Sequence, residues 1–218
     1  MHDRHRDAAE RRIVAACAVR SGAWSMLGGL AADASSAAFR IRGDEVTIAE
    51  PEVLGPDDAT LRTHAEGVAE CLIARGQTMV AAESCTGGWI AKTLTDIAGS
   101  SAWFECGVVA YSYEAKESLL GVQPQTLERT GAVSQETVVE MVSGALARYG
   151  ASVAVAVTGI AGPSGATPGK PVGTVWIGWK RRGGYARSEL FHFKGDRESV
   201  RRQTVAAALE GVRRVLAS

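Results

Sequence analysis

The chain has 218 residues, 46% of them hydrophobic and 25 of them glycine, enough to bury one sizeable core with a short appendage but too few for two full domains. Its 24 lysines and arginines balance 24 aspartates and glutamates, so no net charge draws it toward nucleic acid or an anionic membrane. No run approaches the roughly 18 to 20 apolar residues of a membrane span, because Arg20, Asp33 and later charges interrupt every candidate; a soluble protein is expected.

Residues 1–57 open with MHDRHRDAAERR and drift through Ala, Ser and Gly without a sustained period, which predicts a partly disordered N-terminal appendage ahead of a domain at 58–218. Arg11 and Arg12 before the apolar stretch Ile13–Val19 look superficially like an export leader, a reading set aside because Arg20 splits the apolar region. From Leu61 the apolar residues Leu61, Ala65, Val68, Ala69, Leu72 and Ile73 recur at helical spacing, with His64 among them as a packed or surface residue, until Gly76 stops the helix. Thr78 to Ala82 reads as a short strand, SCTGG as a turn, and Thr86 to Ile97 as a second helix.

A strand at about Glu105 to Ser112 precedes a short helix from Glu114 to Leu120 and a longer one from Ser134 to Tyr149, with Ser134 as its cap. SVAVAVTG, Ser152 to Gly159, has an apolar run from Val153 to Val157, as expected of a central strand covered on both faces. Gly173 to Lys180 and Ala186 to Phe193 read as a hairpin around Arg181 to Gly184, the second arm alternating like an edge strand. Asp196 then caps a terminal helix whose Val200, Thr204, Ala207, Leu209, Val212 and Val215 line a buried face. Together these elements predict a three-layer α/β/α domain with a mixed sheet of about five strands.

Cys17, Cys71, Cys85 and Cys106 form no CxxC pair and have no His at zinc-like spacing, so they read as reduced thiols, not as a metal or redox site. The chemistry is sought where strand ends face helix N-termini, since unpaired amides there favour negative charge. SCTGG offers the Ser84 and Thr86 hydroxyls and the Cys85 thiol as possible nucleophiles, while Gly87 and Gly88 let a substrate approach the backbone; the same residues also suit a plain capped turn. A Ser-His-Asp triad is poorly supported, because His2 and His5 lie in the appendage, His64 is helical and His192 sits on an edge strand.

Lysine is the remaining base, and it can act as one when burial lowers its pKa. Lys116 follows the second strand closely, and Tyr111 at that strand's end can orient or relay a proton. Taken alone, Lys116 reads as a solvated helix lysine. TGIAGPSG, Thr158 to Gly165, supplies backbone amides and the Thr158 hydroxyl suited to a carbonyl or phosphate, or is simply a glycine-rich loop; it lacks the GK[ST] ending of a nucleotide-triphosphate loop. Gly99, Ser100 and Ser101 make a weak phosphate candidate, and the arginines at 197, 201, 202, 213 and 214 read as a solvated helix face.

AESCTGGWIAKTLTDIAGSSAWFECGVVAYSYEAKESLLGV, GAVSQETVVEM, VAVTGIAGPSG and KPVGTVWIGW follow in an order and spacing that closely resembles the C-terminal domain of the CinA family, the nicotinamide-nucleotide amidohydrolases, from about Leu61 to the C-terminus. The resemblance implies hydrolysis of nicotinamide mononucleotide to nicotinic acid mononucleotide and ammonia, a step of pyridine nucleotide salvage in the cytoplasm. It implies Ser84 as nucleophile, Lys116 as base and Tyr111 as proton carrier, with Cys85, Thr86, Gly87, Gly88, Thr158, Gly159 and Gly162 lining the substrate site. It further implies a homodimer or higher homo-oligomer, a small nucleotide substrate, no metal or organic cofactor, and no nucleic-acid or membrane partner.

Two departures bear on pocket shape: the family often has Asn where this chain has Tyr113, and Arg or Gly where it has Cys106. The residues before Leu61 are too few to supply the molybdopterin-binding-like domain of the longer family members. A catalytically weak nucleotide sensor and a Ser-Lys amidase for another small amide are the alternatives at this stage.

Overall fold

The computed structural model describes residues 39–42, 45–48 and 54–218. The Ile13–Val19 stretch, His2, His5 and Cys17 lie outside the described residues. Within the expected appendage, β1 (Phe39–Arg42) and β2 (Glu45–Ile48) pair antiparallel, Phe39 opposite Ile48 and Arg42 opposite Glu45. Sequence reading had no element there.

The main body follows as α1 (Asp58–Arg75), β3 (Met79–Glu83), α2 (Trp89–Thr95), β4 (Phe104–Val109), α3 (Tyr113–Leu120), α4 (Pro124–Thr130), α5 (Gln135–Tyr149), β5 (Val153–Gly159), β6 (Thr174–Arg181), β7 (Arg187–His192) and α6 (Arg197–Ala217). Five strands form one sheet in the order β4-β3-β5-β6-β7. β4 and β5 run parallel to β3, while β6 and β7 are added antiparallel. The mixed sheet, the central place of β5 and the edge position of β7 agree with the sequence reading.

The alternation VAVAV along β5 sorts side chains between two cores. Val153, Val155 and Val157 join the layer of α1, α2 and α6, whereas Ala154 and Ala156 join that of α3, α4 and α5. Successive residues of a strand point to opposite faces, and the small alanines let α5 come close. A Cβ at Gly144 on α5 would lie 1.6 Å from the Leu120 carbonyl oxygen, so α3 and α5 meet at the distance only glycine permits. On the other face the Trp179 indole fills the gap above Gly211 and donates to the Ala208 carbonyl at 2.9 Å.

Local signals set most boundaries. Asp57 caps α1 by accepting from the Thr60 amide, and Gly76 at φ 57° ends it, so the helix starts one turn before the first apolar residue of the pattern. Asp196 and Ser134 cap α6 and α5. α2 is shorter than expected, because Gly87 (φ 61°) and Gly88 (φ 94°) hold the chain in a left-handed turn before it can become helical. α4 was missed, although Pro124 in its first turn is a helix-start signal. On α6, Ala208 is buried and Ala207 only partly so, a shift of one position from the expected face.

Cys85 and Cys106 are free, and Cys71 is buried on α1. Among the described residues no helix is long and apolar enough to cross a membrane.

Candidate active site

β3 delivers its last residues to the C-terminal edge of the parallel strands, where ligands gather in α/β folds. Beyond Glu83 the chain stays beside β5 for one more residue, the Ser84 amide donating to the Val157 carbonyl at 3.1 Å. It then turns through Cys85 to Gly88, the Gly87 amide donating back to the Ser84 carbonyl. The neighbouring β4 ends at Val109, and Ser112 caps α3 by accepting from the Ala115 amide at 3.0 Å. That cap fixes the first turn of α3 so that Lys116 points inward.

Lys116 is 1% exposed, against the simplest expectation for a helix lysine. Its Nζ lies 3.1 Å from Ser84 Oγ, 2.9 Å from the Ala110 carbonyl oxygen and 3.1 Å from that of Tyr111. Burial pulls its pKa down from 10.5 to about 8, with a small opposing effect from Cys85. The geometry satisfies either protonation state. Charged, the ammonium donates to two carbonyls and to the serine; neutral, it keeps the two carbonyl bonds and turns its lone pair to the Ser84 hydroxyl.

The three nucleophile candidates of the turn are no longer equivalent. The Thr86 side chain is fully buried and donates to Glu83 Oε2 at 2.7 Å. Burial pushes the Cys85 thiol up to about 12, so it stays protonated. Only Ser84, 8% exposed, meets the amine.

Tyr111 is brought to the site differently from expectation. Its carbonyl holds Lys116, while its phenol, 60% exposed, accepts from Arg197 Nη2 at 3.3 Å. From the glycine-rich loop, Thr158 is buried and donates to the Ala132 carbonyl at 2.8 Å, which makes it a brace. Gly159 lets β6 approach, since a Cβ there would lie 2.6 Å from Val175 and 2.8 Å from the Thr174 carbonyl oxygen. The Gly162 carbonyl accepts from Arg197 Nη1 at 2.7 Å. The Gly99 to Ser101 segment lies at the far end of the sheet, beside Trp103, whose carbonyl accepts from the first residue of β3.

Sequence reading missed a cleft of about 790 Å³ beside the turn, lined by Gly87, Gly88, Trp89, Arg197, Arg201 and Arg202 among others. It does not include Ser84 or Lys116, but Gly87 and Arg197 connect it to them. Arg201 and Arg202 lie over the Trp89 ring at 4.8 and 4.9 Å. Arg202 is neutralised by Asp58 and Glu198 at 2.6 and 2.9 Å. Arg197 and Arg201 have no carboxylate partner among the described residues and instead hold backbone carbonyls of the site, Gly162 and Thr86. These arginines recur on one face of α6 and had the look of a solvated stripe; only the packing of α2 against α6 converts them into a cleft wall.

The CinA C-terminal domain model matches residues 61–216. The chain is 52% identical over 153 residues to a protein of Escherichia coli K12 named nicotinamide-nucleotide amidohydrolase PncC, covering 70% of this chain and 93% of that one. It is 57% identical over 131 residues to a Pseudomonas putida protein of the same name, covering 60% and 81%. The crystal structure of the competence/damage inducible protein CihA from Agrobacterium tumefaciens superposes with a TM-score of 0.71 at 42% identity, covering 76% of this chain and 99% of that one. With the family model spanning most of its length, the fold shared and the relatives this close, the chain belongs to the CinA C-terminal domain family.

Proposed function

We propose that the protein hydrolyses the carboxamide of nicotinamide mononucleotide to nicotinic acid mononucleotide and ammonia by a Ser-Lys mechanism. The observation that carries this reading is the buried amine of Lys116 at 3.1 Å from Ser84 Oγ. The names of the relatives supply the substrate. Neutral Lys116 takes the Ser84 proton as Oγ attacks the carboxamide carbon. The amides of Ser84, Gly87 and Gly88 are already bonded, to the Val157 carbonyl, the Ser84 carbonyl and the Glu83 carboxylate, which leaves those of Cys85 and Thr86 to receive the developing oxyanion. Collapse returns the proton to the amide nitrogen and releases ammonia. Lys116 then deprotonates the water that cleaves the acyl ester, regenerating the serine.

Tyr111 serves here chiefly through its carbonyl, which fixes Lys116, and its phenol guides Arg197 at the mouth. Cys85, Thr86, Gly87, Gly88, Thr158, Gly159 and Gly162 shape the substrate site through backbone and packing. The phosphate of the mononucleotide belongs in the arginine cleft. Arg197 and Arg201, which have no carboxylate partner among the described residues, are its ligands.

Residues 58–218 form the catalytic domain in this reading, working as a homo-oligomer. The setting is the cytoplasm, because a phosphorylated nucleotide does not cross a membrane unaided. Ammonia release from nicotinamide mononucleotide and from a panel of other amides, run beside Ser84→Ala, tests the reading. Release only from other amides overturns the substrate, and unchanged turnover in Ser84→Ala overturns the nucleophile.

A further inference from the structure

Glu83 is fully buried at the end of β3, immediately before the serine, in an otherwise apolar strand. A carboxylate in such a place is strongly disfavoured unless its oxygens are satisfied. They are: Oε2 accepts from the Thr86 hydroxyl at 2.7 Å, the Gly88 amide at 2.9 Å and the Ile90 amide at 3.0 Å, and Oε1 accepts from the Ala91 amide at 2.8 Å. All four partners are donors, a pattern that suits the ionised carboxylate, which only accepts.

These bonds have two consequences. The N-cap residue of α2, Gly88, has no side chain to cap with, and Glu83 does the capping from across the turn. The start of α2, which the sequence presents as a place for substrate charge, is thereby occupied by an internal anion. The chain between Glu83 and Ala91 is closed into a loop pinned at both ends, and Ser84, Cys85 and Thr86 lie inside it. The direction of the Ser84 hydroxyl and of the Cys85 and Thr86 amides is set by that loop.

We propose that Glu83 is a positioning residue for the amidase reaction: its carboxylate holds the nucleophile turn in the shape that aims Ser84 at Lys116 and the free amides at the substrate carbonyl. The inference rests on the proposed hydrolysis and adds to it a residue that makes no contact with substrate. Glu83→Gln preserves size but places an N–H donor against one of the donors of the turn. The expected result is a kcat for ammonia release roughly 100-fold lower, comparable to losing one oxyanion donor, with KM for nicotinamide mononucleotide and the rising limb of the pH profile near 8 unchanged. A role confined to stability would lower the melting temperature and leave kcat per folded molecule intact, and that outcome overturns the proposal. Where Glu83→Gln does not fold, Thr86→Val removes a single bond to the carboxylate and is expected to lower kcat about tenfold; an unchanged kcat in that variant likewise overturns it.

Acylation of Ser84 by p-nitrophenyl acetate separates this inference from the substrate assignment. Wild-type protein that is acylated at Ser84 but releases no ammonia refutes the substrate alone, and the Glu83 variants are then compared by their acylation rates, expected to fall by the same factors.

Discussion

Replacing Lys116 with methionine tests catalysis and energetics together. The drop of its pKa from 10.5 to about 8 corresponds to about 3 kcal/mol held against the charged amine in the folded state. Below pH 8 that penalty is present in full. Between pH 8 and 10.5 the folded protein carries fewer protons than the unfolded chain, so wild-type stability rises with pH across that window. Lys116→Met removes the penalty but leaves the Ala110 and Tyr111 carbonyls without their donor, at about 1 to 2 kcal/mol each.

The two effects nearly offset at pH 7, where the variant should melt within a few degrees of wild type. Toward pH 10.5 wild type should gain on it by about 6 to 12 °C, at roughly 2 to 4 °C per kcal/mol for a protein of this size. Ammonia release should fall by about 10² to 10⁴-fold, and equally in Lys116→Arg, whose guanidinium does not give up its proton. Melting by circular dichroism from pH 7 to 10.5, beside a coupled ammonia assay, provides both readings. A melting difference that stays flat across this range, or an active Lys116→Arg, would refute the reasoning that the fold keeps this amine ready to lose its proton.

The kcat/KM of wild type should rise with pH below about 8 and level off above it, because only about one Lys116 in ten is neutral at pH 7; a profile flat from pH 6 to 9 excludes Lys116 as the base. Arg201→Gln should raise KM for nicotinamide mononucleotide by about 10 to 100-fold more than for the unphosphorylated nucleoside, the worth of a hydrogen bond to a charged group, since the bond from Arg201 to the Thr86 carbonyl is lost for both substrates; equal losses on both would remove the phosphate from the cleft. Gly144→Ala, whose methyl would meet the Leu120 carbonyl, should destabilise by about 3 kcal/mol in urea titration. A chain beginning at Leu54 should keep its kcat and KM if residues 58–218 are the catalytic unit, and inactive but folded protein would assign the preceding residues a part in the site.

The order of elements and the layers were legible in the sequence because they rest on local chemistry. Gly76, Ser134 and Asp196 mark helix ends by backbone conformation and capping, and the apolar run VAVAV declares a strand covered on both faces. The candidate nucleophile was visible as a hydroxyl on a glycine turn. What the sequence left open there was which of Ser84, Cys85 and Thr86 meets a base. Tertiary structure decides that by burying the thiol and tying the threonine to Glu83.

Other features depend on distant segments coming together, and no local pattern encodes them. Lys116 looks like a surface helix residue in the sequence; it is buried because Ser112 caps α3 and the ends of β3 and β4 lie side by side, which brings it to Ser84 from 32 residues away in the chain. Arg197 and Arg201 repeat every fourth residue like any solvated face, and the packing of α6 against α2 makes them the wall of a cleft. The sequence determined which groups are present and which segments are helix or strand, since those depend on neighbours within a few residues. Their ionisation and partners were decided by the fold, because desolvation and hydrogen bonding depend on what surrounds a group in space.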